Sequence, residues 1–407
     1  MWQANLASQS AAWALIVARG WVVFDMTNSS TMVGAVTFAA MAPLFFVPPF
    51  AGVLADRMDR RTLLAWSYSV NLGHNLVLAL LALAGMLETW HLLALALVNG
   101  TARATQMPVS AALVANLVPR EKLLNALSLT AATMHGTRLI GPGLVMPMLL
   151  LMGAPGAFLL CTVFYIGGLI QILRIKTRSR GEISDQRSFA ANFVAGLKYA
   201  WHHPILRMVI VMVMLHCGLT MAFESLLPTF SQQRLGAGST GFSVIMMAVG
   251  GGALVGSLLI GGVQSSIMRG RVFLIAGVFS GLGQVLLSFA PNMSMAIVAA
   301  AVMGCTQAAY MTLVMAVTQA LSEDQYRGRL ASINTFSIGG VMSCMNLLNG
   351  LLGNQYTAAS ILLVQGVIFT IIVIGAFAIA TPRQVYLNGI AIPESGAPEK
   401  ILPTHGH

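Results

Sequence analysis

Apolar runs of about twenty residues follow one another along almost the whole chain, and charged residues fall mainly in the gaps between them. A run of that length is what an α-helix needs to cross the hydrocarbon core of a bilayer. Only 8% of the 407 residues are charged, against roughly a quarter in ordinary soluble domains. A soluble protein of this size needs a charged skin that this composition does not supply. With 57% hydrophobic residues, a mean hydropathy of +0.79 and four cysteines, the chain is also no disordered segment, collagen or secreted disulfide scaffold. It reads as an all-α integral membrane protein.

The breaks in the apolar background predict twelve spans, at about 4–26, 32–54, 63–86, 91–117, 123–150, 155–175, 205–230, 241–263, 272–290, 293–319, 329–353 and 356–380. The first has neither a basic leader nor a cleavage signal and is expected to be a mature helix. Lys and Arg set the orientation. With the N-terminus inside, eighteen of the 22 basic residues fall in cytoplasmic segments and only Arg234 in an outer loop. Both termini are therefore expected in the cytoplasm, in the inner membrane of a bacterial-type cell. The net charge of +10 is this topogenic charge, beside anionic lipid, and no signature of nucleic acid. Cys161, Cys217, Cys305 and Cys344 lie in apolar spans without metal spacing and are expected to be packing residues.

Six spans precede the longest interior hydrophilic stretch and six follow it. The expected domains are an N-terminal six-helix bundle (1–176), a cytoplasmic linker (177–203), a C-terminal six-helix bundle (204–381) and a disordered cytoplasmic tail (382–407). Within the linker, Phe189, Phe193, Leu197 and Trp201 recur every four residues, as in a helix lying on the membrane surface. The two halves repeat: Gly52 to Arg61 is matched by Gly262 to Arg271, which keeps the leading Gly and trailing Arg but loses the acid. Parallel six-helix repeats around a cavity are an alternating-access design.

Several motifs make the chain similar to the major facilitator superfamily of transporters. Gly52, Asp56, Arg57, Arg60 and Arg61 match that family's signature loop, with Asp59 where glycine is usual. The resemblance implies that this set latches the cytoplasmic side, Asp56 facing a helix N-terminus of the other half. Arg103 and Gln106 match the family's Arg-x-x-Gln motif, associated with proton-coupled transport, with Met107 in place of the usual glycine. Gly141 and Pro142 resemble the exporter-associated Gly-Pro motif of the fifth helix, although Val145 and Met146 replace its closing glycine pair. The runs around Gly20, Trp21, Pro108 and Arg138 are similar to the enterobactin-exporter and macrolide-efflux branch.

A charge near mid-bilayer costs about 2.5–3.5 kcal/mol on the gentlest scale. Arg19, Arg103 and Arg138 should therefore face a wet cavity or a partner. Asp25 lies near the outer end of the first span, which leaves Glu224 in the seventh as the acid best placed to bind a proton. His216 and Thr220 precede it at steps of four, on roughly one helical face. The expected substrate and proton cavity holds Arg19, Arg103, Gln106, Arg138, His216 and Glu224. A purely structural role for the arginines, or a salt-bridge role for Glu224, stays open. His74 with Asn71 and Asn75 reads as a polar seam, His135 as a packing residue, and Gly250, Gly251, Gly252 and Gly256 as a close-packing stripe.

The chain carries no P-loop and no HExxH, and Ala237 to Gly241 lacks the first glycine of a nucleophile elbow. No catalytic residues, metal or cofactor are expected. The resemblance implies a monomeric, proton-coupled exporter of a drug, siderophore or similar amphiphilic molecule. An importer of a small anionic metabolite and a transport-dead sensor on the same fold are the alternatives.

Overall fold

The computed structural model describes residues 1–117, 123–175, 189–263 and 265–389, in which helices and their connecting turns account for the regular structure. In the first half these are α1 (Trp2–Thr27), α2 (Ser30–Met41), α3 (Pro43–Arg57), α4 (Arg60–Leu83), α5 (Thr89–Leu117) and α6 (Leu123–Leu173). There follow α7 (Phe189–His202), α8 (Pro204–Leu219), α9 (Leu227–Gln233), α10 (Gly238–Gly261), α11 (Ser266–Phe289) and α12 (Met293–Ala320). The last are α13 (Asp324–Phe336), α14 (Met342–Leu352), α15 (Ala358–Gly375) and α16 (Ala380–Asn388). Among the described residues, eight helical stretches are long and apolar enough to cross a membrane, or nine if the bent pair α7–α8 counts as one. Among the long helices left out, α4 is diluted by Asn71, His74 and Asn75, and α5 by Asn99, Arg103 and Gln106.

Local chemistry marks the helix ends. Asn28 takes the left-handed conformation (φ 47°) that stops α1, and the Ser29 hydroxyl then accepts the Met32 amide to start α2. Pro43 opens α3, where a missing N–H is harmless, so the expected second span is two helices meeting at Ala42. Asp59, the residue that departs from the family signature, caps α4 by accepting from the Thr62 amide (3.3 Å) and hydroxyl (3.0 Å). Gly153 (φ 63°, ψ −149°) breaks α6 into the two expected spans. The eleventh span is continuous but locally under-wound by a π segment at Ser337–Val341.

Three expectations are corrected. The seventh span is not one helix: it is interrupted between α8 and α9. The linker helix α7 does form, bent 120° from α8, but Phe193 and Leu197 of its apolar stripe lie on protein while Trp201 stays exposed. Phe193 and Leu197 pack with Leu330 and Ile333 of α13, and Tyr199 stacks on Tyr326 at 4.0 Å. The tail is ordered as far as α16, where Val385 and Tyr386 are buried against Phe273. Residues 390–407 lie outside the described residues.

The halves meet closely at the end where α1 gives way to α2. One apolar core runs through both halves there, from Val22 and Val33 to Phe230, Phe242 and Met303. α2 and α14 approach closely enough that a Cβ on Gly34 would lie 2.7 Å from the Asn346 carbonyl oxygen and 3.0 Å from the Gly350 Cα. Toward the opposite end, Phe336 of α13 touches Phe45 of α3 (4.9 Å) and Phe193 of α7 (5.4 Å). Within the second half, α10 and α12 pack almost backbone to backbone, Gly252 on Ala301, Gly256 on Cys305 and Gly304 on Val249. Leu258, Leu259, Val298 and Ile371 point outward, as lipid-facing side chains should.

Candidate functional site

The signature loop lies at the junction of α3 and α4. Arg57 is exposed, and Arg60 and Arg61 are half-buried. Arg61 donates to the Leu173 carbonyl at 2.6 Å, tying the start of α4 to the end of α6. Gly52 and the Asp56 side chain lie on α3 outside what is described, so the expected contact of Asp56 with the other half has no geometry here.

Arg103 and Gln106 come together on one cavity of about 210 Å³ between α1, α5 and α6. Asn5, Ser8, Gln9, Ser110, Thr130, Thr133 and Tyr165 share its wall, so it carries hydroxyls and amides with one guanidinium. Gln106 donates to the Ser8 hydroxyl (2.8 Å), which also accepts from Tyr68 (3.0 Å), and Ser110 donates to Asn5 (3.0 Å). α5 presents Arg103, Gln106 and Ser110 on one side because helical steps of three and four stack.

Arg19 does not line that cavity. It is buried behind it and reaches Asn99 at 3.5 Å, which donates to Asn71 at 2.8 Å. His74 and Asn75 both bond the Asn71 carbonyl, so the polar seam of α4 extends through Asn99 to Arg19. His135 falls among side chains outside the described set.

Arg138 occupies the crossing of the halves. Three residues on, Gly141 lets α6 press against α1: a Cβ there would sit 2.6 Å from the Ser10 carbonyl oxygen. Pro142 is buried beside it. From the other half, Gly250 of α10 approaches so closely that a Cβ would meet the Arg138 carbonyl at 2.6 Å. The Arg138 guanidinium lies 4.4 Å from the Trp13 ring centroid, and its Nε is buried with no hydrogen-bond partner among the described residues.

Glu224 sits in the seven-residue break between α8 and α9, buried and turned toward the N-terminal half. The positive charges acting on it are, in order of strength, Arg138, Arg103 and Arg19, all from that half. The helical step of four that would align it with His216 does not survive the break. His216 instead bonds the Ser280 hydroxyl (3.0 Å) and stacks on Tyr310 (4.5 Å), deep in the C-terminal half.

Breaking a helix inside a bilayer frees backbone groups that lipid cannot satisfy. Five amide side chains on four helices meet that need. Gln284 donates to the Leu219 carbonyl (3.2 Å), Gln307 to Thr220 (2.6 Å) and Asn349 to Ala222 (2.5 Å). Asn346 accepts from the Ser225 amide (3.1 Å), and Gln365 of α15 supports Asn349 (2.5 Å). This cage escaped the motif reading. Its trace in the sequence is one or two lone amides in each of α11, α12, α14 and α15, together with Pro228 just after the break.

Comparison with known proteins agrees with this geometry. A family model described as transmembrane secretion effector, of the major facilitator class, matches residues 1–395. The chain is 24% identical over 337 residues to the multidrug efflux pump Tap of Mycolicibacterium fortuitum, covering 78% of this chain and 80% of that one. The Tap pump of Mycobacterium tuberculosis is 24% identical over 362 residues, covering 82% and 81%. The staphyloferrin A transporter of Staphylococcus aureus is 20% identical over 249 residues, covering 61% and 62%. Among solved structures, a POT family transporter superposes with a TM-score of 0.72 at 13% identity, covering 92% of this chain and 95% of that one. The nucleoside transporter NupG gives 0.71 at 12%, covering 92% and 98%, a likeness of fold alone. With the family model spanning nearly all of it, the chain belongs to the transmembrane secretion effector family of the major facilitator transporters.

Proposed function

We propose that this protein is a proton-driven exporter that moves an amphiphilic small molecule, a drug or siderophore, out of the cytoplasm by alternating access. The observation that carries the reading is Glu224, a buried acid in an interrupted helix of one half, facing arginine charges that belong to the other. A proton there changes the attraction between the halves, which is what coupling requires. The names of the similar pumps support the cargo class, and the Gly141-Pro142 element supports export. On this reading the chain crosses the inner membrane twelve times as a monomer with both termini in the cytoplasm. The cavity of Arg103 and Gln106 receives the solute from the cytoplasm.

The test begins with a panel of drugs and siderophores in a pump-deficient host, followed by reconstitution with an imposed proton gradient. Glu224→Gln should abolish uphill efflux while the solute still binds. Undiminished uphill efflux in that variant rules out the assignment. Asp56→Asn should slow transport through the cytoplasmic latch, and full activity there removes the latch from the mechanism.

A further inference from the structure

A guanidinium held near mid-membrane needs a partner in every state of the cycle. Arg138 has one candidate partner across the interface, Glu224, and the two form no direct ion pair among the described residues. Its guanidinium rests instead on the face of Trp13, within its own half. A ring face attracts a cation most strongly when both are removed from water. Trp13 on α1 and Arg138 at the crossing with Gly250 are both half-buried, and the Arg138 Nε is shut off from water.

We infer that Trp13 is the second resting place of Arg138, occupied when Glu224 is protonated, so that the proton decides whether Arg138 bonds within its own half or reaches across to the other. With Glu224 neutral, Arg138 has no counter-charge across the interface and stays on the ring. The halves are then released from one another at mid-membrane. With Glu224 ionised, the carboxylate outcompetes the ring and the two halves are drawn together. Trp13 is thus a positioning residue. By giving Arg138 an alternative, it makes it easier for Glu224 to keep its proton. The inference rests on the reading of Glu224 as the coupling site.

The other groups facing this pair do not supply the alternative partner. Arg103 on α5 and Arg19 on α1 act on Glu224 as further positive charges. α10 carries no charged side chain and meets Arg138 through Gly250, and His74 on α4 is engaged with Asn71 in its own seam.

The test needs no transported solute. Purified full-length protein in nanodiscs is titrated while the infrared band of protonated carboxyl groups is recorded, and the component missing in Glu224→Gln belongs to Glu224. Trp13→Leu should lower the midpoint of that component by about one pH unit, a roughly tenfold weaker hold on the proton. Trp13→Phe should keep most of the wild-type value. Tryptophans of increasing fluorination at position 13 retain the shape while weakening the ring face, and should lower the midpoint stepwise. In an Arg138→Gln background none of these changes should move it. A midpoint indifferent to fluorination, in a folded protein, overturns the inference and leaves Glu224 as the proton site. If no component is lost in Glu224→Gln between pH 4 and 9, the coupling reading falls and the inference with it.

Discussion

Ser30 and Thr229 share a buried hydroxyl–hydroxyl hydrogen bond of 2.7 Å, one from each half of the molecule. The bond joins the start of α2 to α9, just beyond the broken segment that carries Glu224. Alternating access requires the halves to part at this end in another state, so the pair should be intermittently separated. Ser30→Cys with Thr229→Cys should crosslink under mild oxidation, arrest efflux, and recover on reduction. Crosslinking that leaves efflux unchanged would mean the two residues never separate during transport.

Gly34 and Gly350 lie beside that bond and set how closely α2 and α14 can approach. A side chain at position 34 would meet the Asn346 carbonyl. Gly34→Val should favour states in which this end is open. Labelling of an introduced cysteine at Ser225 by a membrane-impermeant maleimide should rise, while efflux falls at least severalfold. Equal labelling in both proteins would show that the contact does not govern the opening.

The amide cage makes a separate prediction. Gln307→Leu keeps the volume but leaves the Thr220 carbonyl without its donor, at a cost of about 1–3 kcal/mol. The melting temperature of the purified protein should drop by several degrees, and Gln307→Glu should also fail to restore it unless that acid is protonated. A variant as stable as wild type would show that water satisfies the carbonyl equally well.

At the cytoplasmic loop, Asp59→Ala should remove a helix cap worth about 0.5–2 kcal/mol. Hydrogen exchange should quicken in the first turn of α4 and stay unchanged in its interior. Uniform protection would assign the start of α4 to tertiary packing instead.

Much of the architecture was legible because bilayer length and loop charge act over whole segments. All twelve expected stretches carry helix, and α4 begins beside the arginines that marked its loop. The readings that failed turned on single contacts. Periodicity carried His216 and Glu224 onto one face, since a step of four says nothing of a break sustained by amides on other helices. The stripe of α7 looked like a lipid face because an apolar side chain does not disclose whether lipid or α13 will cover it. Residues 382–388 read as tail from their proline and glycine neighbours, while Tyr386 packs beside Phe273. The cavity residues Arg103 and Gln106 were nameable from a motif. Their companions Asn5, Ser8 and Thr133 were not, because ordinary polar residues become a wall only when three helices converge.

The backbone contact between α10 and α12 has a mechanical consequence. Two helices locked at Gly252, Gly256 and Gly304 have little room to slide, and they form a stiff plate. That plate meets the opposite half along α6, where Gly250 rides on the backbone of Arg138 and Met247 reaches Gly143, and at α1, where Phe242 lies against Gly20. A stiff plate carries a displacement along its whole length, so a shift where α10 crosses α6 moves both helices together at either end. On the proposed mechanism Arg138, whose backbone meets Gly250, is also the residue whose partner the Glu224 proton decides, so the trigger acts where the plate meets the other half.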